Sequence, residues 1–233
     1  MMQSKEIPAA NDRPCPDKLV IESVRQHNRL SFELVLLFIG IPLSLLLPIA
    51  GWIKLLLGLA GVSYCILVGI RQSFFNRRSL FARPVPGSWQ PLVFLFFMLA
   101  LALTGLMYWL DSEKLFIVVR NNVWLWLGIS IFYSVFSVFP QELVYRHFFF
   151  NRYAGLFGNP RILLLANAAI FAFAHIIFLN ALVLALTFVG GILFGLTYQK
   201  SRSLLLTSFE HALYGVWIFT LGMGEMLAFP MPG

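Results

Sequence analysis

The sequence predicts an all-α protein, a polytopic bundle of about seven transmembrane helices with its N-terminus on the cytoplasmic side. Three observations predict it. Of 233 residues, 59% are hydrophobic and 12% charged, where soluble domains carry roughly 45–50% and 25%; mean hydropathy is +0.81. The apolar residues fall in runs near the ~20 needed to cross a ~30 Å hydrocarbon layer. The runs are too long and uniform for barrel strands, and backbone polar groups in lipid must be satisfied internally, so helices follow.

The expected spans are 32–50, 52–70, 91–110, Val123 through the Glu142 region, 162–179, 181–198 and 204–222. Cations sort to one side of them. Lys5, Arg13, Lys18, Arg25, Arg29, Arg71, Arg77, Arg78, Arg83, Arg152, Arg161, Lys200 and Arg202 fall in segments that alternate with those holding Lys54, Lys114 and Arg120. The positive-inside rule then places the N-terminus in and the C-terminus out. The net charge of +7 is accounted for by cations beside lipid headgroups, which sets nucleic acid aside as a partner. The first thirty residues lack an apolar core of the secretory-signal type. The stretch from Asp17 to Leu30 is read as a solvated tail, with a thin interfacial helix as the alternative. Cys15 and Cys65 form neither a disulfide framework nor a zinc spacing.

In the fourth apolar stretch, Pro140 is expected to kink the helix. Gly155, Gly158 and Asn159-Pro160 end it and open the next.

Glu142 lies in this stretch, in Phe139-Pro140-Gln141-Glu142-Leu143-Val144-Tyr145-Arg146. A charge at membrane depth costs at least about 2.5–3.5 kcal/mol, so it is rarely there without a role. Arg146, four residues on, shares its helix face and can pair with it. Two more ionisable groups, His175 and His211, stand in later spans. Glu142 and His175 each lie about 20 Å of helix from the turn joining their spans, and His211 about 13 Å from the same side of the bundle. All three can meet.

Several readings of this trio stay open. One is a buried ion pair and two interhelical histidines that only hold the bundle. Another is a carboxylate and imidazoles that handle a water proton and stabilise an oxyanion. A third is a zinc site with an open position, although no His-Glu-x-x-His pair is present. Glu210 is either an outer partner of the site or an acid near a helix start. His147 and His27 carry no expected role, and Asn167 and Asn180 are candidate helix bridges. A small-solute carrier is the weakest alternative, since no second broken-helix pair is visible.

Gln141-Glu142-x-x-x-Arg146, Phe171-x-x-x-His175 and His211 in the last span, in that order, resemble the motifs of the CAAX-protease and bacteriocin-processing family (CPBP, or Abi). That family includes the type II CAAX prenyl endopeptidases. The resemblance covers about Val123 to Gly222. It makes 123–222 a four-span catalytic core, while the apolar pattern alone gives a tail over 1–30, three N-terminal spans over 31–122 and a short tail over 223–233.

The resemblance further implies an intramembrane endopeptidase of the glutamic type, in the inner (cell) membrane of a bacterium, acting on a membrane-associated protein or peptide. It needs no diffusible cofactor or metal, zinc being the rival. Glu142, His175 and His211 are the expected catalytic residues, and Gln141, Arg146, Tyr214 and Asn167 support them. Two positions depart from the pattern. Gln141 stands where the family has its first glutamate, and Gly215 where Asn or Asp is usual. They motivate the alternative of a non-catalytic binding or immunity protein with an eroded site.

Overall fold

The computed structural model describes residues 16–75, 80, 82, 87 and 89–224. Cys15, Pro8, Pro14, Lys5, Arg13, Arg77, Arg78, Arg83 and the tail beyond residue 224 lie outside them. Among the described residues the regular structure is all helical: α1 (Pro16–Val35), α2 (Gly51–Arg71), α3 (Trp89–Asp111), α4 (Val123–Arg152), α5 (Pro160–Ala174), α6 (Ala181–Ser201) and α7 (Leu204–Thr220).

Among the described residues five helices, α2 to α6, are long and apolar enough to cross a membrane. Their outer faces carry large bare apolar side chains, including Trp109 (80% exposed) and Trp124 (78%). Such a surface is stable against lipid rather than water. The two end spans are shorter than the sequence suggested. The first ceases to be helical at Ser44, because Pro48 has no N–H to donate and disfavours helical backbone at Leu47. The last, α7, has 17 residues.

The N-terminal segment read as a solvated tail is instead helical from Pro16, and α1 runs on through Leu36–Gly40 into Ile41–Ser44. Proline is tolerated in a first helical turn, and the apolar residues beyond Leu30 give this helix something to pack on. Residues 20–29 remain exposed along it.

Two prolines in helices are accommodated in the same way. Leu36–Gly40 precedes Pro42, and Tyr133–Val138 precedes Pro140; both are π-helical. A widened turn bonds each N–H one residue further back, as Phe139 N–H does to Ser134 O, so the ladder is re-phased around a residue that cannot donate. A third π-helical stretch, Leu143–Phe148, follows Glu142. π turns therefore lie on both sides of Pro140, where the sequence predicted a kink.

α4 ends at Tyr153, and Gly158 takes a left-handed backbone (φ +61°) before Asn159, whose side chain accepts from Arg161 N–H as Pro160 opens α5. Asn180, expected to bridge helices, instead caps α6 by accepting from the N–H groups of Leu182 and Val183. Its carbonyl is taken up locally by the unpaired N–H groups of a helix start.

The N-terminal helices pack into the same core as the motif-bearing ones. Phe38 meets Tyr145, Phe149 and Tyr153 edge-on at 5.3–5.9 Å. Beside it, buried Glu33 receives two hydrogen bonds from Arg152 (2.8 and 2.7 Å), one from Tyr153 (2.9 Å) and one from Tyr64 (3.0 Å). This fork ties α1, α2 and the end of α4 together, with every lone pair direction of the carboxylate in use. His147, unassigned from the sequence, is a second fastener: its ring bonds Phe74 O (2.9 Å) and Tyr198 OH (2.8 Å).

α5 and α6 come into backbone contact at Gly191, where an added Cβ would lie 2.8 Å from Ala168 Cα and 3.1 Å from Ala168 O. Backbone cannot yield as a side-chain tip can. Gly191→Val is expected to destabilise the bundle by about 1–3 kcal/mol, the usual cost of overpacking. Gly58→Ala, with open space at its Cβ position, is the control. Thermal unfolding of the purified protein in detergent checks both, and equal melting points would refute the close-contact account.

Candidate active site

α4 presents Tyr133, Ser137 and Gln141 at four-residue intervals, so the three fall on one helix face. α5 contributes Phe171 and, at its C-terminal end, His175. α7 contributes the stripe Thr207, Glu210, His211 and Tyr214, all buried. These faces converge on a cavity of about 280 Å³, whose wall includes Tyr133, Gln141, His175, His211 and Tyr214 amid leucines and phenylalanines.

Glu142 is not on that wall. It is fully buried, with Oε1 2.9 Å from His211 Nδ1 and Oε2 3.5 Å from Arg146 Nε. The sequence suggested an acid facing the water; the structure puts it behind His211, one layer from the cavity. The cause is helical geometry. Adjacent residues point about 100° apart, so with Gln141 at the cavity, Glu142 is turned toward α7.

Arg146 is also fully buried. It donates from Nη1 to Asn167 Oδ1 (2.9 Å), and its guanidinium lies 4.5 Å from the Phe171 ring centroid. Asn167 in turn donates to Tyr145 O (2.6 Å). So Asn167 does bridge α5 to α4, and it positions the counter-charge rather than touching the cavity. Glu210 is 2% exposed; since its helix face is turned inward, it does not look out toward headgroups.

The imidazole protons follow from their partners. A carboxylate only accepts, so His211 carries a proton on Nδ1, and in the neutral ring it presents a lone pair on Nε2. His175 Nδ1 lies 2.8 Å from Phe171 O, an acceptor left over at the end of α5, so in the neutral ring its Nε2 carries the lone pair. Phe171 packs against both rings, with centroids 4.8 Å from His175 and 5.6 Å from His211, and Phe194 stacks on His211 at 4.5 Å. These contacts hold both rings in place.

As a metal site the arrangement fits poorly. Among the described residues no three His, Cys, Asp or Glu side chains are grouped to hold an ion, and Glu142 spends its carboxylate on His211 and Arg146.

Gln141 donates from Nε2 to Ser137 Oγ (2.9 Å). The same two residues also border a second cavity of about 300 Å³ between α1, α2 and α4. Their pair is thus a wall common to both spaces.

Tyr133 was missed from the sequence: it lines the cavity, and its hydroxyl is 3.3 Å from His211 Nε2. The stripe Tyr133–Ser137–Gln141 in an otherwise apolar helix was the available signal. Glu33 was missed too, although a lone carboxylate at the start of an apolar run invites the same question as Glu142.

Residues 122–217 match the family model described as Type II CAAX prenyl endopeptidase Rce1-like. No curated protein and no solved structure matches the chain. The match supports the resemblance to the CAAX-protease family read from the three motifs. Together with five helices able to cross a lipid layer, it marks the chain as an integral membrane protein. What the family implies at its coarsest is membrane protease activity on membrane-associated proteins.

Proposed function

We propose that this chain is an intramembrane endopeptidase that hydrolyses a peptide bond of a membrane-associated protein or peptide with a histidine-activated water and no metal. One observation carries the reading: Glu142 holds His211 Nδ1 from behind while His211 Nε2 faces a cavity shared with His175. A buried carboxylate behind an imidazole fixes its tautomer and stabilises the imidazolium that forms on proton transfer.

In this scheme a water donates to the Nε2 atoms of His175 and His211. His211 takes one proton as the oxygen attacks the carbonyl carbon, then returns it to the amine as the C–N bond breaks. Glu142 acts through His211 and is a positioning residue; the sequence had suggested it as the base or the water-orienting group. Gln141, an amide with no proton to accept, offers its carbonyl oxygen to substrate or water. Apolar walls strengthen each of these interactions by limiting screening.

The test is cleavage in proteoliposomes of two internally quenched probes: a farnesylated Cys-aliphatic-aliphatic-X peptide and an unlipidated transmembrane peptide. Cleavage of either by the wild type is expected, unchanged by dialysis against a zinc chelator. His211→Ala is expected to lose about 10²–10⁴-fold, the worth of general base catalysis, and His175→Ala to lose turnover as well. Activity lost to the chelator and restored by zinc would overturn the metal-free mechanism.

Gln141 at the cavity in place of a carboxylate favours one other reading, a non-catalytic binding or immunity protein. It requires that the wild type cleave neither probe while a Glu142→Ala/His175→Ala variant keeps the cellular phenotype.

A further inference from the structure

We infer that Tyr133 is a catalytic residue: its hydroxyl is the hydrogen-bond donor to the oxyanion, in a space that Gly215 leaves open for it. The inference rests on the endopeptidase reading above and adds the group which that scheme lacks. Both histidines face the cavity through unprotonated Nε2 atoms, because their Nδ1 protons are committed to Glu142 and to Phe171 O. Neither can donate to a developing negative charge as the reaction begins. Gln141 already directs one N–H to Ser137. Tyr214, also in the wall, has a buried hydroxyl without a hydrogen-bond partner. Only Tyr133 places its hydroxyl at the proton-accepting atom itself, 3.3 Å from His211 Nε2.

Gly215 supplies the second observation. A Cβ at that position would lie 2.2 Å from Tyr133 Oη, 2.4 Å from Cε1 and 2.5 Å from Cζ. A side chain at 215 requires the phenol to move from its present place, so the glycine on α7 and the tyrosine on α4 fit as a pair. A side chain on residue 215 would emerge where the hydroxyl now sits.

The chemistry links the two partners of Tyr133. In the resting state its O–H donates to His211 Nε2. Nε2 has a single in-plane lone pair, so the bound substrate carbonyl oxygen first draws the Tyr133 O–H to itself, and the freed Nε2 then takes a proton from the attacking water. Meanwhile the carbonyl π pair moves onto oxygen as the water oxygen bonds to carbon. The Tyr133 O–H, already on that oxygen, stabilises the growing charge and stays covalently on Tyr133 throughout. When the tetrahedral species collapses, the pair returns, the C–N bond breaks, and His211 gives its proton to the amine. Base and oxyanion donor are thereby coupled through one hydrogen bond that exchanges partners.

The experiment is steady-state cleavage of the two quenched probes by the full chain in proteoliposomes. Tyr133→Phe, which removes one oxygen, is expected to lower kcat by about 10²–10³-fold, the effect of deleting one oxyanion donor, with KM little changed. Gly215→Ala should produce a comparable loss by displacing the phenol, and adding it to Tyr133→Phe should cost little more. Tyr133→Ala combined with Gly215→Asn, which returns an amide N–H to the vacated space, should recover much of the turnover lost in Tyr133→Ala. Full turnover in Tyr133→Phe, with His211→Ala inactive, would overturn the assignment and leave the endopeptidase reading standing. A loss confined to Tyr214→Phe would hand the donor role to Tyr214 and overturn it equally. If the wild type cleaves neither probe, the endopeptidase reading falls and the role of Tyr133 with it.

Discussion

Glu142→Gln is expected to reduce turnover by about 10³–10⁴-fold, the loss that follows when the buried carboxylate behind a catalytic histidine becomes an amide. Volume is preserved, so the effect is electronic. The glutamine has one oxygen to share between Arg146 and His211, and the guanidinium, permanently charged, takes it. The NH₂ group then faces His211 Nδ1. Nδ1 must become an acceptor, Nε2 acquires the proton, and the atom at the cavity can no longer receive one from water. Raising the pH should not restore activity, because the defect is a tautomer and not a charge state. The charge lost beside Arg146 also lowers stability, so the measurement is single-turnover cleavage normalised to the folded fraction. Near wild-type rates in that assay would remove His211 as the base.

The helical class was legible because hydropathy and span length act locally, residue by residue. So were the Glu142–Arg146 pairing, set by a four-residue spacing, and the stops at Gly158 and Pro160. What could not be read was which way α4 faces. Gln141 and Glu142 point in different directions whichever is inward, and the π turns on both sides of Pro140 shift the phase by amounts that no fixed period supplies. The depth estimate brought His211 near Glu142 without indicating which of its nitrogens would meet the carboxylate. The Tyr133–Gly215 fit is a contact between helices 82 positions apart in number, and nothing local to either residue marks it. The Glu33–Arg152 fork belongs to the same class: each charge was visible, but their meeting depends on how α1 lies across α4.

Arg146→Met is expected to destabilise the protein by about 3–5 kcal/mol, the usual cost of removing one partner from a buried ion pair. The guanidinium has no exposure to solvent. It balances Glu142 at 3.5 Å, fills the space against Phe171 and occupies Asn167 Oδ1. Methionine replaces the volume and the aromatic contact but leaves a carboxylate uncompensated in an apolar interior. If charge balance is what dominates, Glu142→Gln should destabilise for the mirror reason, and the double variant should cost far less than the two singles together. Replacing a buried pair as a unit is often nearly neutral, whereas breaking it is not. Denaturant unfolding of the four proteins in detergent completes the cycle. Strict additivity would mean that Arg146 stabilises through packing and Asn167 alone, and that the carboxylate behind His211 is held ionised by something other than its nearest cation.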